Sequence, residues 1–399
     1  MLGVGCWMFN SMLHRTLAFL LAVSLSSAHA VELGIDMLRE RGFDILQGKR
    51  VGLVTNQTGV DAHGTKTRVI LKKAAGVNLV ALFSPEHGLD GVAGAGRAVG
   101  SHKDGVTGLT TYSLYGATRK PTRAMLAGLD VLVYDMQDIG CRSYTYISTM
   151  AKCMEAAGEA GIEFVVLDRP NPLGGERVEG PPIEGRWISF VGIFPTPYVH
   201  GMTAGELAQM ANARGWTGAR CKLTVVPMRG WSRGMTWPET GLRWVQTSPN
   251  IPHATSPFYY VATGLVGELH GVEVGCGGGA PFECCRASGV DGAAMAARLR
   301  SAGYPGVGIS PLGNGVNLNI APHAGANLCK LATHLILESN RGANLLARYH
   351  DPEQIFYKCY GSTSIKSQVQ GGASIDKIVA GWESGNASFR AARRGYLLY

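Results

Sequence analysis

The strongest constraint on the fold is a regular alternation, between residues 48 and 227, of short apolar runs with longer helical segments. Runs with no polar residue on either face are typical of parallel strands buried on both sides. The resulting βαβα order predicts an α/β fold with a Rossmann-like, doubly wound, mostly parallel sheet. The predicted strands are 51–55, 77–83, 131–134, 164–167 and 223–226, and the predicted helices are 65–75, 121–129, 148–160 and 202–214.

The alternation of apolar runs and helical segments ends after Trp244. Residues 248–252 form a turn-rich break, and four glycines follow within residues 272–280. We therefore expect an N-terminal domain over 31–252 and a smaller α+β C-terminal domain over 253–399. The C-terminal part is expected to contain strands at 307–309 and 316–320, with helices around 291–302, 327–338 and 374–383.

Two threonines carry signals for the start of a helix. Thr203 and Glu206 have the spacing of a capping box, in which each side chain bonds the other residue's backbone N–H. Glu206 is therefore expected to be a cap rather than a catalyst. Thr149 is interpreted in the same way, as a residue at a helix start.

Residues 1–30 have the pattern of a secretory signal peptide. Arg15 precedes a short apolar stretch, and Ala28-His-Ala30 matches the small-x-small cleavage site. The apolar core, 17–23, is shorter than the about 20 residues that a membrane span needs. We therefore predict export, with the periplasm as the expected compartment, and no stable membrane insertion.

Charge and cysteine content narrow the possible partners. The formal net charge is +8, but the basic residues are scattered, with no stripe of Lys and Arg among aromatics, so nucleic acid is not an expected partner. A mild positive charge suits an anionic polymer such as a cell-wall glycan. Of nine cysteines, all but Cys6 follow the signal segment, and either disulfides or buried thiols would fit them. No C-x-x-C pair occurs, so we expect neither a zinc site nor a cofactor.

Polar residues collect where the predicted strands end. Glu86 lies in Ser84-Pro-Glu-His-Gly88, directly after the apolar run 77–83. In open α/β sheets, ligands bind in the crevice beyond the carboxyl ends of the strands. The other strand ends carry Asn56-Gln-Thr58, then Asp135-Met-Gln-Asp138 with Arg142, Tyr144 and Tyr146, then Asp168-Arg-Pro-Asn171.

Two carboxyl groups facing one crevice are what glycoside hydrolysis requires. Glu86, Asp135 and Asp138 are the candidates. The structural alternatives stay open: Asp135 caps a loop or pairs with an arginine, and Asp138 closes an Asx turn. The Asp-x-x-Asp spacing would also suit a divalent cation. His200 is either a ligand contact or an ordinary loop histidine.

At these positions the chain resembles the exo-β-N-acetylmuramidase family of the NamZ/YbbC type (glycoside hydrolase family 171). The resemblance covers nearly the whole chain after the signal segment. The segments that carry it are 51–60, 83–89, 112–116, 134–140, 144–150, 167–175, 179–181, 189–192, 200–203, 248–252 and the C-terminal Tyr396-Leu-Leu-Tyr399.

The resemblance implies a Rossmann-like domain that carries the site and a smaller domain that closes over it. It implies exo-hydrolysis of β-1,4-linked N-acetylmuramic acid, or a related N-acetylated amino sugar, from the non-reducing end of peptidoglycan fragments. Glu86 would be the principal catalytic carboxyl and general acid. Asp135 or Asp138 would act as the base, or would orient the 2-acetamido group of the substrate. The residues expected to bind substrate are Asn56, His87, Arg142, Tyr146, Asn171, His200 and Glu268.

The chain departs from the family pattern between residues 268 and 289. Glu268 remains, but Cys276 stands where the family has an arginine, and Arg286-Ala-Ser-Gly289 replaces Gly-Ala-Pro-Trp. A thiol cannot form the bidentate contact that a guanidinium makes with a carboxylate. The alternative hypothesis is therefore a non-catalytic paralogue that binds cell-wall fragments or sugars.

Overall fold

The computed structural model describes residues 30–351 and 353–399. The predicted signal peptide, 1–30, lies outside the described residues except for Ala30. Two β-sheets organise the described chain, one of seven strands and one of four. The strands are β1 (Arg50–Thr55), β2 (Asn78–Ser84), β3 (His102–Lys103), β4 (Thr110–Ser113), β5 (Val131–Asp135), β6 (Glu163–Leu167), β7 (Lys222–Val226), β8 (Val272–Glu273), β9 (Cys284–Ala287), β10 (Val307–Leu312) and β11 (Gly315–Ile320).

The large sheet has the strand order β3-β4-β2-β1-β5-β6-β7. All its neighbouring strands pair in parallel except β3, which runs antiparallel to β4 at the edge. The doubly wound sheet predicted from the apolar runs is confirmed. The sequence pattern missed β3 and β4, because the edge strand β3 consists of two polar residues and β4 is short and only partly apolar.

Helices cover both faces of the large sheet and one part of the small one. Each predicted helix is present, with shifts of a few residues at its ends, except that the helix expected over 374–383 continues to Arg393. The helices are α1 (Gly34–Glu40), α2 (Thr67–Lys73), α3 (Arg123–Leu126), α4 (Thr145–Ala160), α5 (Ala204–Arg214), α6 (Ser256–Gly267), α7 (Gly292–Ala302), α8 (Leu328–Ala343), α9 (Leu345–Arg348), α10 (Ile355–Tyr360), α11 (Ser364–Gln370) and α12 (Ile375–Arg393).

The two predicted helix-start residues have different outcomes. Thr203 and Glu206 form the expected capping box at the start of α5, so that prediction is confirmed. The prediction for Thr149 is wrong, since α4 begins at Thr145 and Thr149 lies one turn inside it. The Thr149 hydroxyl donates to the Thr145 carbonyl oxygen, which is how a mid-helix threonine satisfies its side chain.

The small sheet is antiparallel, in the order β10-β11-β9-β8, and packs against α6, α7 and α8. One continuous cluster of buried apolar side chains runs from the large sheet into this region. The end of the chain returns to the large sheet, where the Tyr399 hydroxyl donates to Asp168 over 2.8 Å. Both halves of the chain therefore share contacts far apart in sequence.

Two further expectations concern the state of the cysteines and the insertion of the chain into a membrane. All eight cysteines after the signal segment are free thiols, and only Cys276 of these is exposed. The buried-thiol alternative therefore fits the structure, and the disulfide alternative does not. Over residues 30–351 and 353–399, no helix combines the length and apolar character needed to cross a membrane.

Candidate active site

A cleft of about 540 Å³ opens between the carboxyl edge of the large sheet and the C-terminal half of the chain. The sheet side contributes residues that follow β2 and β5, including Glu86 and Thr145. The opposite side is formed by α6 and the segment after it, including Tyr260 and Glu268. The cleft lies where ligand sites of open α/β sheets are expected.

Glu86 is held at this cleft by two hydrogen bonds. It follows β2 and its side chain is almost completely buried. Its Oε2 atom accepts from the Thr145 hydroxyl over 2.6 Å, and its Oε1 atom accepts from the Gly96 backbone N–H over 2.7 Å. Both oxygens are thus fixed as acceptors, which pre-orients the carboxylate within the cleft.

His87 shapes the loop that supplies one of those donors. Its backbone has a φ of 68°, a left-handed conformation that few residues other than glycine adopt. Its Nδ1 atom donates to the Ala93 carbonyl oxygen over 2.7 Å. The sharp turn and this bond fold residues 87–96 back, so that Gly96 reaches Glu86.

Glu268 faces the same cleft from the C-terminal half. It follows the last residue of α6, where the helix dipole places partial negative charge. Burial, and then the charge of Asp351, raise the pKa of the Glu268 carboxyl to about 7. A carboxyl in this condition retains its proton near neutral pH and is able to donate it.

Aromatic side chains form much of the remaining wall. Tyr260 packs edge-on against Tyr144, with ring centroids 6.0 Å apart, and against Phe282 at 5.0 Å. The Tyr144 hydroxyl donates to the Thr247 hydroxyl over 2.9 Å, which fixes its ring. Such surfaces suit the apolar face of a sugar ring while their hydroxyl groups remain polar.

The structure places Asp135 and Asp138 away from this cleft. Asp135 is completely buried, and it accepts from Arg169 over 2.5 Å and from the Thr67 hydroxyl. Asp138 accepts from the Gly140 backbone N–H over 2.7 Å, which is the Asx-type arrangement foreseen as its alternative. Burial raises the pKa of Asp138 to about 7, yet it lines a much smaller cavity beside Asn171.

Four other expected substrate contacts also have structural partners. Asn56 accepts from Thr58, Asn171 bonds Leu173 and Met202, and the Tyr146 hydroxyl donates to the Thr247 carbonyl oxygen. His200 is buried, and desolvation lowers its pKa to about 3, so it is neutral. Of the expected site residues, the structure brings together Glu86, His87 and Glu268 at the cleft.

Arg142 was expected to bind substrate, but its side chain has a structural role. Its guanidinium is completely buried and donates to four backbone carbonyl oxygens, those of Pro181, Thr196, Cys359 and Tyr360, over 2.6–3.0 Å. Since Cys359 and Tyr360 end α10, this one side chain joins the loops beyond the large sheet to the C-terminal half.

Sequence reasoning missed several cleft residues. Tyr115 lies within a segment that carried the family resemblance, so its position after β4 was an available signal. Tyr260 and Phe282 had no such signal, because their sequence neighbourhoods are ordinary helix and glycine-rich loop. They reach the cleft only through the packing of the two halves.

A second cavity, of about 560 Å³, lies on the other side of the segment 243–252. Its carboxyl, Asp61, is paired with Arg39, and one of its two arginines, Arg169, is paired with Asp135. No group of three or more His, Cys, Asp or Glu side chains in the described chain is arranged to hold a metal ion. The cleft with Glu86 and Glu268 is therefore the better candidate for acid–base chemistry.

Fold and cleft together define a two-part α/β protein whose candidate site presents two carboxyl groups from opposite sides. The exo-beta-N-acetylmuramidase NamZ family models match the chain, the N-terminal model over residues 51–255 and the C-terminal model over 258–399. The chain belongs to this family.

Known proteins support the assignment. The peptidoglycan beta-N-acetylmuramidase NamZ of Bacillus subtilis (strain 168) is 40% identical over 384 residues, which cover 92% of this chain and 91% of that protein. A crystal structure of a DUF1343 family protein from Bacteroides fragilis superposes with a TM-score of 0.85 at 41% identity, covering 93% of this chain and 99% of that chain. A second such protein from the same organism gives a TM-score of 0.71 at 28% identity, covering 92% and 99%.

Proposed function

We propose that this protein is a glycoside hydrolase that removes terminal β-linked N-acetylmuramic acid from the non-reducing end of peptidoglycan fragments. The family and the Bacillus subtilis relative support the activity and the substrate. The observation that carries the proposal is that Glu86 and Glu268 face one cleft from opposite halves of the chain. Glycoside hydrolysis requires such a pair, one group to protonate the leaving oxygen and one to act at the sugar.

The environments of the two carboxyls suggest their roles. We assign the general acid to Glu268, because burial raises the pKa of its carboxyl to about 7, so that about half of these carboxyls carry a proton at pH 7. Glu86 has both oxygens engaged as acceptors by Thr145 and Gly96, which suits the carboxylate form. In this scheme Glu268 protonates the glycosidic oxygen, while Glu86 either deprotonates the attacking water or orients the substrate's 2-acetamido group.

This assignment differs from the one favoured by sequence, in which Glu86 was the acid and Asp135 or Asp138 the base. The reason is positional. The ion pair with Arg169 and the bond from Gly140 commit those two aspartates to the interior. We therefore propose a positioning role for them, and for Arg142, Asn56 and Asn171.

The test compares hydrolysis of a chromogenic β-N-acetylmuramide with that of the matching β-N-acetylglucosaminide. We expect release from the muramide, and a loss of about 10²–10⁴-fold in kcat for Glu86→Gln with unfolding temperature unchanged. Glu273→Gln is the matched control, since Glu273 lines the same cleft but is exposed and paired with Arg286. Wild-type turnover by Glu86→Gln would overturn the role of Glu86, and binding without hydrolysis by the wild type would favour the non-catalytic alternative.

We also propose that the protein is exported and acts in the periplasm, where peptidoglycan fragments are accessible. The signal pattern over residues 1–30 supports this proposal. Expression of the full-length chain, followed by cell fractionation and mass spectrometry, should find a periplasmic protein that begins at Val31. Recovery of the uncleaved chain from the cytoplasm would refute it.

A further inference from the structure

We propose that Arg119 binds the carboxylate of the lactyl ether on the terminal sugar, and so selects N-acetylmuramic acid over N-acetylglucosamine. The inference rests on the proposed function and names the residue that reads the substrate. Arg119 lies in the loop after β4, outside the residues that the family resemblance assigned to the site.

The guanidinium of Arg119 lies against two aromatic rings that meet at a corner. Its Cζ atom lies 4.6 Å from the ring centroid of Tyr115 and 4.6 Å from that of Phe190. Those rings are themselves 5.9 Å apart, tilted by 51°. Stacking on aromatic faces fixes the plane of a guanidinium without using its N–H donors.

Those donors are available for a ligand. Arg119 is exposed, and within the described ranges its side chain forms neither an ion pair nor a hydrogen bond, unlike the paired arginines Arg169 and Arg233. An arginine that is held in place while its donors stay free is suited to bidentate recognition of a carboxylate. The side chain has already lost much of its rotational freedom, so less entropy is lost on binding.

Tyr115 connects Arg119 to the candidate catalytic carboxyl. Its side chain is almost buried and lines the cleft beside Glu86. Burial first, and the charge of Glu86 next, raise the pKa of Tyr115 to about 12, which places its hydroxyl close to that carboxylate. On the other side of Arg119, Phe190 is followed by Val191, which also lines the cleft. Tyr115 thus contacts Arg119 through its ring and Glu86 through its hydroxyl, which places the guanidinium one residue away from the candidate catalytic carboxyl.

A cation beside the cleft would favour an anionic sugar. The cleft lining includes three carboxyls, Glu86, Glu268 and Glu273, and among the described lining residues there is neither lysine nor arginine. Glu273 is paired with Arg286, and burial raises the pKa of Glu268 to about 7, so the lining is less negative than three free carboxylates would make it. The guanidinium of Arg119, in contact with the cleft-lining Tyr115, supplies a positive charge that the lining itself lacks.

The experiment measures kcat/KM of wild type, Arg119→Met and Arg119→Lys on three chromogenic substrates. These are the β-N-acetylmuramide, the same muramide with its lactyl carboxyl converted to a methylamide, and the β-N-acetylglucosaminide. Met keeps most of the stacked stem but removes the charge. A charge-assisted hydrogen bond contributes about 1.5–3 kcal/mol, so we expect Arg119→Met to lose roughly 10–150-fold on the muramide alone. Arg123→Met, an exposed arginine four residues on, is the control.

We expect Arg119→Lys to recover only part of the loss, because an ammonium cannot reproduce the planar, stacked fork. An equal loss on all three substrates would show a structural role for Arg119 and overturn the proposal, as would no loss on any. If the wild type hydrolyses none of them, the proposed function fails, and calorimetric titration with free N-acetylmuramic acid then tests Arg119 separately. Binding of that sugar that Arg119→Met weakens at least tenfold would support the role, and unchanged or absent binding would refute it.

Discussion

The assignment of Glu268 as the proton donor makes a quantitative prediction for the variant Glu268→Gln. The glutamine side chain keeps the shape of the carboxyl but cannot deliver a proton. Burial and the charge of Asp351 raise the pKa of Glu268 from 4.5 to about 7. At pH 7 about half of such carboxyls are protonated, compared with about 0.3% for an ordinary glutamate, a gain of about two orders of magnitude in available acid.

The sign of the pH dependence follows from the protonated form being active. In the wild type, kcat/KM should fall about tenfold for each pH unit above 7, because Glu268 loses its proton there. Glu268→Gln should abolish this alkaline limb. Its activity should also fall by about 10²–10⁴-fold on a substrate with a poor leaving group, the usual contribution of a general acid.

The assay pairs two β-N-acetylmuramides across pH 5–9, one linked to the hydroxyl group of a second sugar, which is a poor leaving group, and one with a dinitrophenyl leaving group. Dinitrophenolate departs without protonation, so Glu268→Gln should lose less than about tenfold on that substrate. Glu273→Gln, from the same cleft, should behave as wild type on both. An alkaline limb that persists in Glu268→Gln, or an equal loss on both substrates, would refute the reasoning.

Two further predictions concern the structure that supports the site. Arg142→Met should lower the free energy of unfolding by about 3–5 kcal/mol in urea denaturation, since it leaves four buried carbonyl oxygens without their donor. A loss below about 1 kcal/mol would contradict the role of Arg142 in linking the loops beyond the large sheet to the C-terminal half. In folded protein prepared to begin at Val31, Ellman's reagent should modify one thiol, Cys276, because the other seven are buried. Cys276→Ser should remove that reaction. A saturating concentration of N-acetylmuramic acid should slow the modification of Cys276 in the wild type, because Cys276 lines the cleft. Rapid modification of several thiols would contradict the prediction.

The sequence predicted well those elements that are determined by residues close together in the chain. Strands β1, β2, β5 and β6 are buried on both faces, and their sequences are therefore continuous apolar runs. The edge strand β7 is only half-buried, but its run of apolar residues was also recognisable. The capping box at Thr203 is likewise visible within four residues. The prediction for Thr149 is wrong because α4 starts after a turn that begins at Cys141, and no side chain caps the start of the helix.

The candidate site was predicted in part. Glu86 was found because it follows a recognisable strand, and parallel strands present their carboxyl ends along one edge. The roles of Asp135 and Arg142 depend on partners 34 to 218 residues away along the chain. Neither spacing nor composition reveals whether a polar side chain at a strand end points toward a ligand or toward such a partner.

The sequence by itself therefore determined the parallel sheet, the edge at which chemistry is expected, and the carboxyl that follows β2. Only the tertiary structure decided which carboxyl faces Glu86. Glu268 ends a helix from the other half of the chain, and its raised pKa arises from burial between the two halves. Burial and the approach of distant charges are properties of the packed molecule, because they bring together residues that the sequence keeps apart, Glu86 and Asp351 being 182 and 83 residues from Glu268.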